Sequence, residues 1–204
     1  MLIARSVPED SDPLVPRVAL ERGPLGPLHD DDPALALMTD LRVVEPRLVG
    51  DDVQIDAALQ HMREQGVRLL FVVDASRRLV GVVSSYDIQG EKPIRHLQSR
   101  DCTLRTCSRA DVLTRHVMEP LAELRVVDLE DVRNARVADV EAALLAEGRT
   151  HLPVIERLAE GRMTIRGLFS ATELARRLGR GVGVVPRARS FADIERVVAG
   201  GAAL

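Results

Sequence analysis

Two arrangements of apolar and polar positions recur along the chain. Ile55, Ala58, Leu59 and Met62 fall at i, i+3, i+4 and i+7, the spacing of a helix with one buried stripe. Asp51 or Asp52 stands where it would cap that helix, and Gly66 where a left-handed residue would end it. Residues 69–73 are an unbroken apolar run of strand length, 74–78 a polar turn, and 79–83 a second apolar run that leads into Ser84-Ser85-Tyr86-Asp87. With Leu41-Arg42-Val43-Val44 read as a short strand ahead of a loop at 46–52, the predicted order is β-α-β-β-α.

The same order returns further on. Leu124-Arg125-Val126-Val127-Asp128 echoes Leu41-Arg42-Val43-Val44-Glu45, while Val137, Val140 and Leu144 form a helix stripe that Gly148 stops. Leu152-Pro153-Val154-Ile155 is the next strand, with Pro153 predicting an edge or a strand end. Residues 163–169 then lead into Ser170-Ala171-Thr172-Glu173. A repeat is stronger evidence than either copy alone. The fold class is therefore α+β with two like units, 35–92 and 113–179, joined by a polar connection at 93–112 with some helix. Residues 1–34, rich in Pro and Asp, predict an extended arm, followed by a short helix over 34–39. Residues 180–204 predict a loop and a last helix opening at Ser190, which docks on the core or on a second subunit.

Composition narrows the function. Hydrophobic residues make up 46% of the 204, enough for a real core. A net charge of -3 gives no global attraction to nucleic acid, and with 2% aromatics and no Trp there are few platforms on which bases stack. No apolar run approaches the roughly 20 residues of a membrane helix, and residues 1–12 lack the order of a signal peptide, so a cytoplasmic protein is expected. Cys102 and Cys107 read as reduced thiols in a linker, without the partners of a metal site. His61, His96, His116 and His151 are scattered, and no Ser-His-Asp order or phosphate loop is present, so no catalytic residues are assigned and an enzyme is not expected.

The chain resembles a tandem pair of CBS domains (cystathionine β-synthase), often called a Bateman module. The likeness spans roughly residues 35–178 and is carried in both copies: Met38 and Met118 before the first strand of each unit, Ala57-Ala58-Leu59 and Ala142-Ala143-Leu144 in each first helix, Thr150-His151-Leu152-Pro153-Val154, and the two Gly-apolar-apolar-Ser-x-x-acid turns from Gly81 and Gly167. Copy one departs at Leu70-Phe71, where the family commonly has Leu-Pro. The resemblance implies two units packed sheet to sheet about a pseudo-twofold, with clefts that bind AMP, ADP, ATP or S-adenosylmethionine and signal to an enzyme or channel. Here that regulated partner would be a separate protein. It also implies a homodimer, for which the stripes Ile55-Ala58-Leu59-Met62 and Val140-Ala143-Leu144 offer apolar faces; the alternative is that those stripes are spent on their own sheets.

By the same resemblance, Asp87 and Glu173 would accept hydrogen bonds from ribose hydroxyls. Ser84 and Ser170 would lie near the phosphate, with Arg68 and Arg149 as its cations, and Val44 and Leu69 would flank the adenine. A carboxylate has two oxygens for a vicinal diol, which makes the assignment chemically sound. Ser-x-x-acid is equally a capping box that satisfies helix-end donors without any ligand. Glu173 suits that box, whereas the shorter Asp87 tilts toward ligand work. The rival to a nucleotide sensor is thus a ligand-free dimerisation or scaffold module whose turns are only helix caps.

Overall fold

The computed structural model describes residues 2–6, 26–158 and 162–183. Its elements are, in order, β1 (Arg5–Ser6), β2 (Thr39–Asp40), β3 (Leu48–Gly50), α1 (Ile55–Glu64), β4 (Leu69–Val73), β5 (Leu79–Ser84), α2 (Ser85–Gln89), α3 (Lys92–Leu97), α4 (Arg100–Arg105), α5 (Thr114–Val117), β6 (Glu119–Pro120), β7 (Arg125–Asp128), α6 (Leu129–Arg133), α7 (Val137–Glu147), β8 (His151–Arg157), β9 (Met163–Ser170) and α8 (Ala171–Leu178). They fall into two compact bodies. One is built on Pro46–Leu124, the other on the described parts of Met1–Arg5, Pro16–Glu45 and Arg125–Leu204.

The first body has a sheet of order β3-β4-β5-β6. β3 runs parallel to β4, and β4-β5-β6 are antiparallel. The α1 stripe is buried on it, with Ile55, Ala58, Leu59 and Met62 no more than 8% exposed, against Leu70, Val72, Val83 and Ile88. Gln54, rather than Asp51 or Asp52, caps α1: its side-chain oxygen accepts from the N–H groups of Asp56 (2.8 Å) and Ala57 (3.0 Å).

Leu41-Arg42-Val43-Val44 is not a strand. Asp40 Oδ1 accepts from Arg42 N at 2.8 Å, and the Asp40 carbonyl accepts from Val43 N and Val44 N, so these N–H groups are consumed in a local turn and have none left for a ladder. The strand that answers to β7 is β3, seven residues later.

The second body has a sheet of order β1-β7-β8-β9-β2. Val137, Val140, Ala143 and Leu144 of α7 pack with Leu152, Val154, Phe169 and Leu174 in its core. Pro153 lies inside the central strand β8, not at an edge. The parallel ladder to β7 begins only at Val154, so the missing N–H of Pro153 falls just before it. The described part of the arm is fastened here. Leu2, Ala4 and Leu28 are buried, and the carbonyls of Asp32 and Asp30 accept from Val137 N and Ala138 N at the start of α7. Arg177, 6% exposed, donates to the carbonyls of Gly26 and Ala36. The predicted helix at 34–39 is a single 3-10 turn at Ala34–Ala36, after which Thr39 enters β2. The rest of the proline-rich arm and the helix at Ser190 lie outside the described residues. Among the described residues no helix is long and apolar enough to cross a membrane.

Candidate functional site

Ser84 ends β5 in extended geometry and caps α2. Its N–H and its hydroxyl both donate to Asp87 Oδ2, at 2.8 and 2.6 Å, and the Asp87 N–H returns to Ser84 Oγ at 3.3 Å. The other carboxylate oxygen, Oδ1, faces Lys92 Nζ at 2.6 Å. An ionised carboxylate has about four acceptor positions, so three are engaged and one remains on Oδ1. Leu69 pairs with Ser84 across β4 and β5, and Ser85 N donates to the Arg68 carbonyl at 2.9 Å. Ser84, Asp87, Leu69 and Arg68 therefore meet at one end of one sheet. Leu69 is buried, whereas Arg68 is exposed, with no ion-pair partner for its guanidinium among the described residues. Val44 belongs to the other body, in the turn after β2.

The second turn is built differently. Ser170 makes no side-chain capping bond, and Glu173 is turned to Arg176, whose guanidinium donates to both carboxylate oxygens at 2.9 and 2.7 Å. This reverses the expectation of which turn forms the capping box. The shorter Asp87 closes the capping box because its carboxylate fits directly under the Ser84 N–H and hydroxyl, and the residue three further on is Gly90, which offers no charge. Glu173 has an arginine at that position, and a bidentate charged partner outcompetes a neutral cap. The arginines are also out of step. His151 pairs with Ser170 as Leu69 does with Ser84, and Ala171 N donates to the Thr150 carbonyl as Ser85 N does to Arg68. The counterpart of Arg68 is thus Thr150, and Arg149 corresponds to Val67.

The glycine of each turn has a packing reason. A Cβ on Gly81 would run into the Glu119 carbonyl and approach Met118 Sδ at 3.2 Å; one on Gly167 would meet Met38 Sδ and, at 3.0 Å, the Thr39 carbonyl. Each glycine admits the short strand that crosses it, β6 over Gly81 and β2 over Gly167, with the methionine packed alongside.

Several partners were not legible in the sequence. Lys92 donates to the Val117 carbonyl at 2.9 Å while it pairs with Asp87. His96 and His116, twenty positions apart, stack with ring centroids 3.9 Å apart. Burial, the charge of His96 and the charge of Arg115 hold His116 below the ordinary histidine range. Cys102 and Cys107 are joined in a disulfide, not reduced thiols, because the left-handed turn at Thr106 folds Cys107 back on α4 to a Cα separation of 4.9 Å. In the second body Arg166 pairs with Asp40 and lies 3.4 Å from Glu156, which Arg42 also reaches at 2.6 Å. Burial pushes the Asp40 carboxyl up, but the Arg166 hydrogen bond, the Arg42 N–H and both guanidinium charges outweigh it and leave it below its ordinary value. The stripes expected to serve a dimer are spent within their own bodies. The large apolar side chains left exposed include Tyr86, Ile94, Leu104 and Leu145.

Residues 36–91 match the CBS domain family. The return of its element order and of the Met–Gly packing in the second half is consistent with a tandem pair. Solved structures similar to the chain include CBSX2 in complex with AMP, the protein of Arabidopsis thaliana (26% identity, 71% of this chain and 94% of that one, TM-score 0.48). A conserved CBS domain protein of unknown function from Thermoplasma acidophilum is 21% identical over 82% of this chain and 74% of its own, with a TM-score of 0.46. The cytosolic domain of the Mg2+ channel MgtE in complex with ATP is 19% identical over 72% and 49%, with a TM-score of 0.41. No curated protein matches the chain.

Proposed function

We propose that the protein is a regulatory module that binds an adenosine-containing nucleotide at the turn between β5 and α2 and reports its level to a separate partner protein. One observation carries the reading: inside the segment that matches the CBS family, the half-buried carboxylate of Asp87 keeps an open acceptor position at the sheet end where Arg68 also lies, and the Arg68 side chain is exposed with no ion-pair partner among the described residues. A ribose hydroxyl donates to Oδ1, and a second displaces the Ser84 hydroxyl, whose 2.6 Å bond is the one in the cap that a substitute O–H replaces like for like. Arg68 answers the phosphates of AMP, ADP or ATP, or the carboxylate of S-adenosylmethionine, and Leu69 lines the base. The second turn is the weaker candidate, since Arg176 already occupies both oxygens of Glu173.

The rival is the scaffold module, and a specific observation favours it: the Ser84–Asp87 box is complete without a ligand. A homodimer fits either reading, using surface other than the α1 and α7 stripes. Isothermal titration with AMP, ATP and S-adenosylmethionine decides between them. Saturable binding of one supports the sensor, and no heat with any of the three makes the scaffold the better description.

A further inference from the structure

We propose that the Cys102–Cys107 disulfide is a thiol–disulfide exchange site, opened by a dithiol reductant that attacks Cys107, with Cys102 as the leaving thiolate and His96 as the donor that holds it. The inference is independent of the nucleotide reading. The two sulfurs are unlike: Cys102 is 4% exposed, whereas Cys107 is half-buried and is the one an external thiolate reaches more readily. Cys102 Sγ lies 3.5 Å from His96 Nε2, which is a donor to it when that nitrogen carries its proton. Exchange is faster when the departing sulfur is the better-stabilised thiolate, so access and leaving ability select the same direction of attack.

The surroundings keep His96 in place. Its ring is stacked at 15° on His116, which is itself held by the Leu113 N–H donating to Nδ1 at 3.1 Å. Between the cysteines, Thr106 is left-handed at φ 56, an unfavourable conformation for a β-branched residue. Opening the disulfide lets Thr106 leave it. The bridge closes a very short loop, the case in which a cross-link constrains the unfolded chain least, so a purely structural role is the weaker explanation.

The chemistry balances with a dithiol as co-reactant. One thiolate of the reductant attacks Cys107 Sγ and forms a mixed disulfide. The Cys102–Cys107 bond breaks with its electron pair on Cys102 Sγ, which accepts a hydrogen bond from His96 Nε2–H. The second thiolate of the reductant attacks its own sulfur in the mixed disulfide and expels Cys107. Two electrons pass to the protein, the reductant leaves as a disulfide, and the two protons it released are available to the two cysteine sulfurs.

The test begins with the oxidised full-length protein and reduced glutathione, a monothiol whose first attack leaves a mixed disulfide, quenched in acid at early times before a second glutathione displaces it, followed by alkylation and peptide mapping. Glutathione on Cys107 and the alkyl group on Cys102 is the expected result. The reverse placement, or two free thiols after treatment of the reduced protein with diamide, overturns the proposal. Reduction by dithiothreitol is then timed in wild type and His96→Asn. An about five- to tenfold slower reaction is expected from the poorer leaving group, whereas a variant that merely loosened the loop would be reduced faster. An unchanged or faster rate removes His96 from the proposal. The mapping needs no variant, so it stands even where His96→Asn fails to fold.

Discussion

Lys92 Nζ stands 2.6 Å from Asp87 Oδ1 and donates to the Val117 carbonyl at 2.9 Å, so one ammonium ties the cap of α2 to the end of α5. Both side chains are about one-fifth exposed (23% and 20%), between the regimes of surface and buried pairs. Lys92→Met is expected to lower stability by about 1–2 kcal/mol. Urea unfolding would show a lower midpoint at unchanged slope. No change would mean that the pair is solvated and contributes nothing.

The glycines of the two turns should tolerate alanine unequally. At Gly81 the obstacle is the Glu119 backbone carbonyl in the β5–β6 pair, whereas at Gly167 much of it is the flexible end of Met38. Gly81→Ala is expected to cost about 2–3 kcal/mol and Gly167→Ala about 1 kcal/mol. Thermal denaturation of the two variants measures the difference, and equal losses would mean that the strand over Gly81 yields as easily as a methionine side chain.

His116 has a folded pKa below its unfolded value, so the folded state binds fewer protons between the two. Stability is then fully present above the unfolded value of about 6.5 and declines as pH falls below it, with a slope of at most about 1.4 kcal/mol per pH unit for one proton. The expected loss between pH 7 and pH 5 should shrink in His116→Gln. An identical pH profile for the variant would assign the acid sensitivity elsewhere.

Asp40 gives a second window with the same sign at lower pH. Its carboxyl is depressed in the folded state, so its contribution is present above the ordinary value of 3.8 and disappears as pH falls below that toward the folded value. Arg166→Gln removes the leading stabiliser of the carboxylate. The difference in unfolding free energy between the two proteins should therefore be largest at neutral pH and narrow below about pH 4. A constant difference would show that Arg166 acts through packing alone.

The fold was legible where apolar period and terminators agreed. The α1 stripe, the β4–β5 hairpin and the stop at Gly148 follow from residues that report their own burial or backbone angle. Leu41-Arg42-Val43-Val44 misled because an apolar run carries no sign that Asp40 will take up its N–H groups. The candidate site was half legible. Ser84 and Asp87 lie three apart and announce a turn, but the choice between cap and ligand depends on what else reaches the carboxylate. Arg176 beside Glu173 was in plain sight at i+3, while Lys92 reaches Asp87 only once α3 has folded back. The His96–His116 stack arises from tertiary packing, and the Cys102–Cys107 bridge from a left-handed threonine that no local pattern requires.

The measurement that most directly tests the central claim is titration of wild type, Asp87→Asn and Glu173→Gln with whichever adenosine nucleotide binds. Asparagine keeps an acceptor for the Ser84 cap but removes the charge offered to the ribose. Binding at the β5–α2 turn requires that Asp87→Asn lose about tenfold or more in affinity, the scale of one charge-assisted hydrogen bond, with Glu173→Gln unchanged. Unaltered binding by a folded Asp87→Asn, or a loss confined to Glu173→Gln, would contradict it.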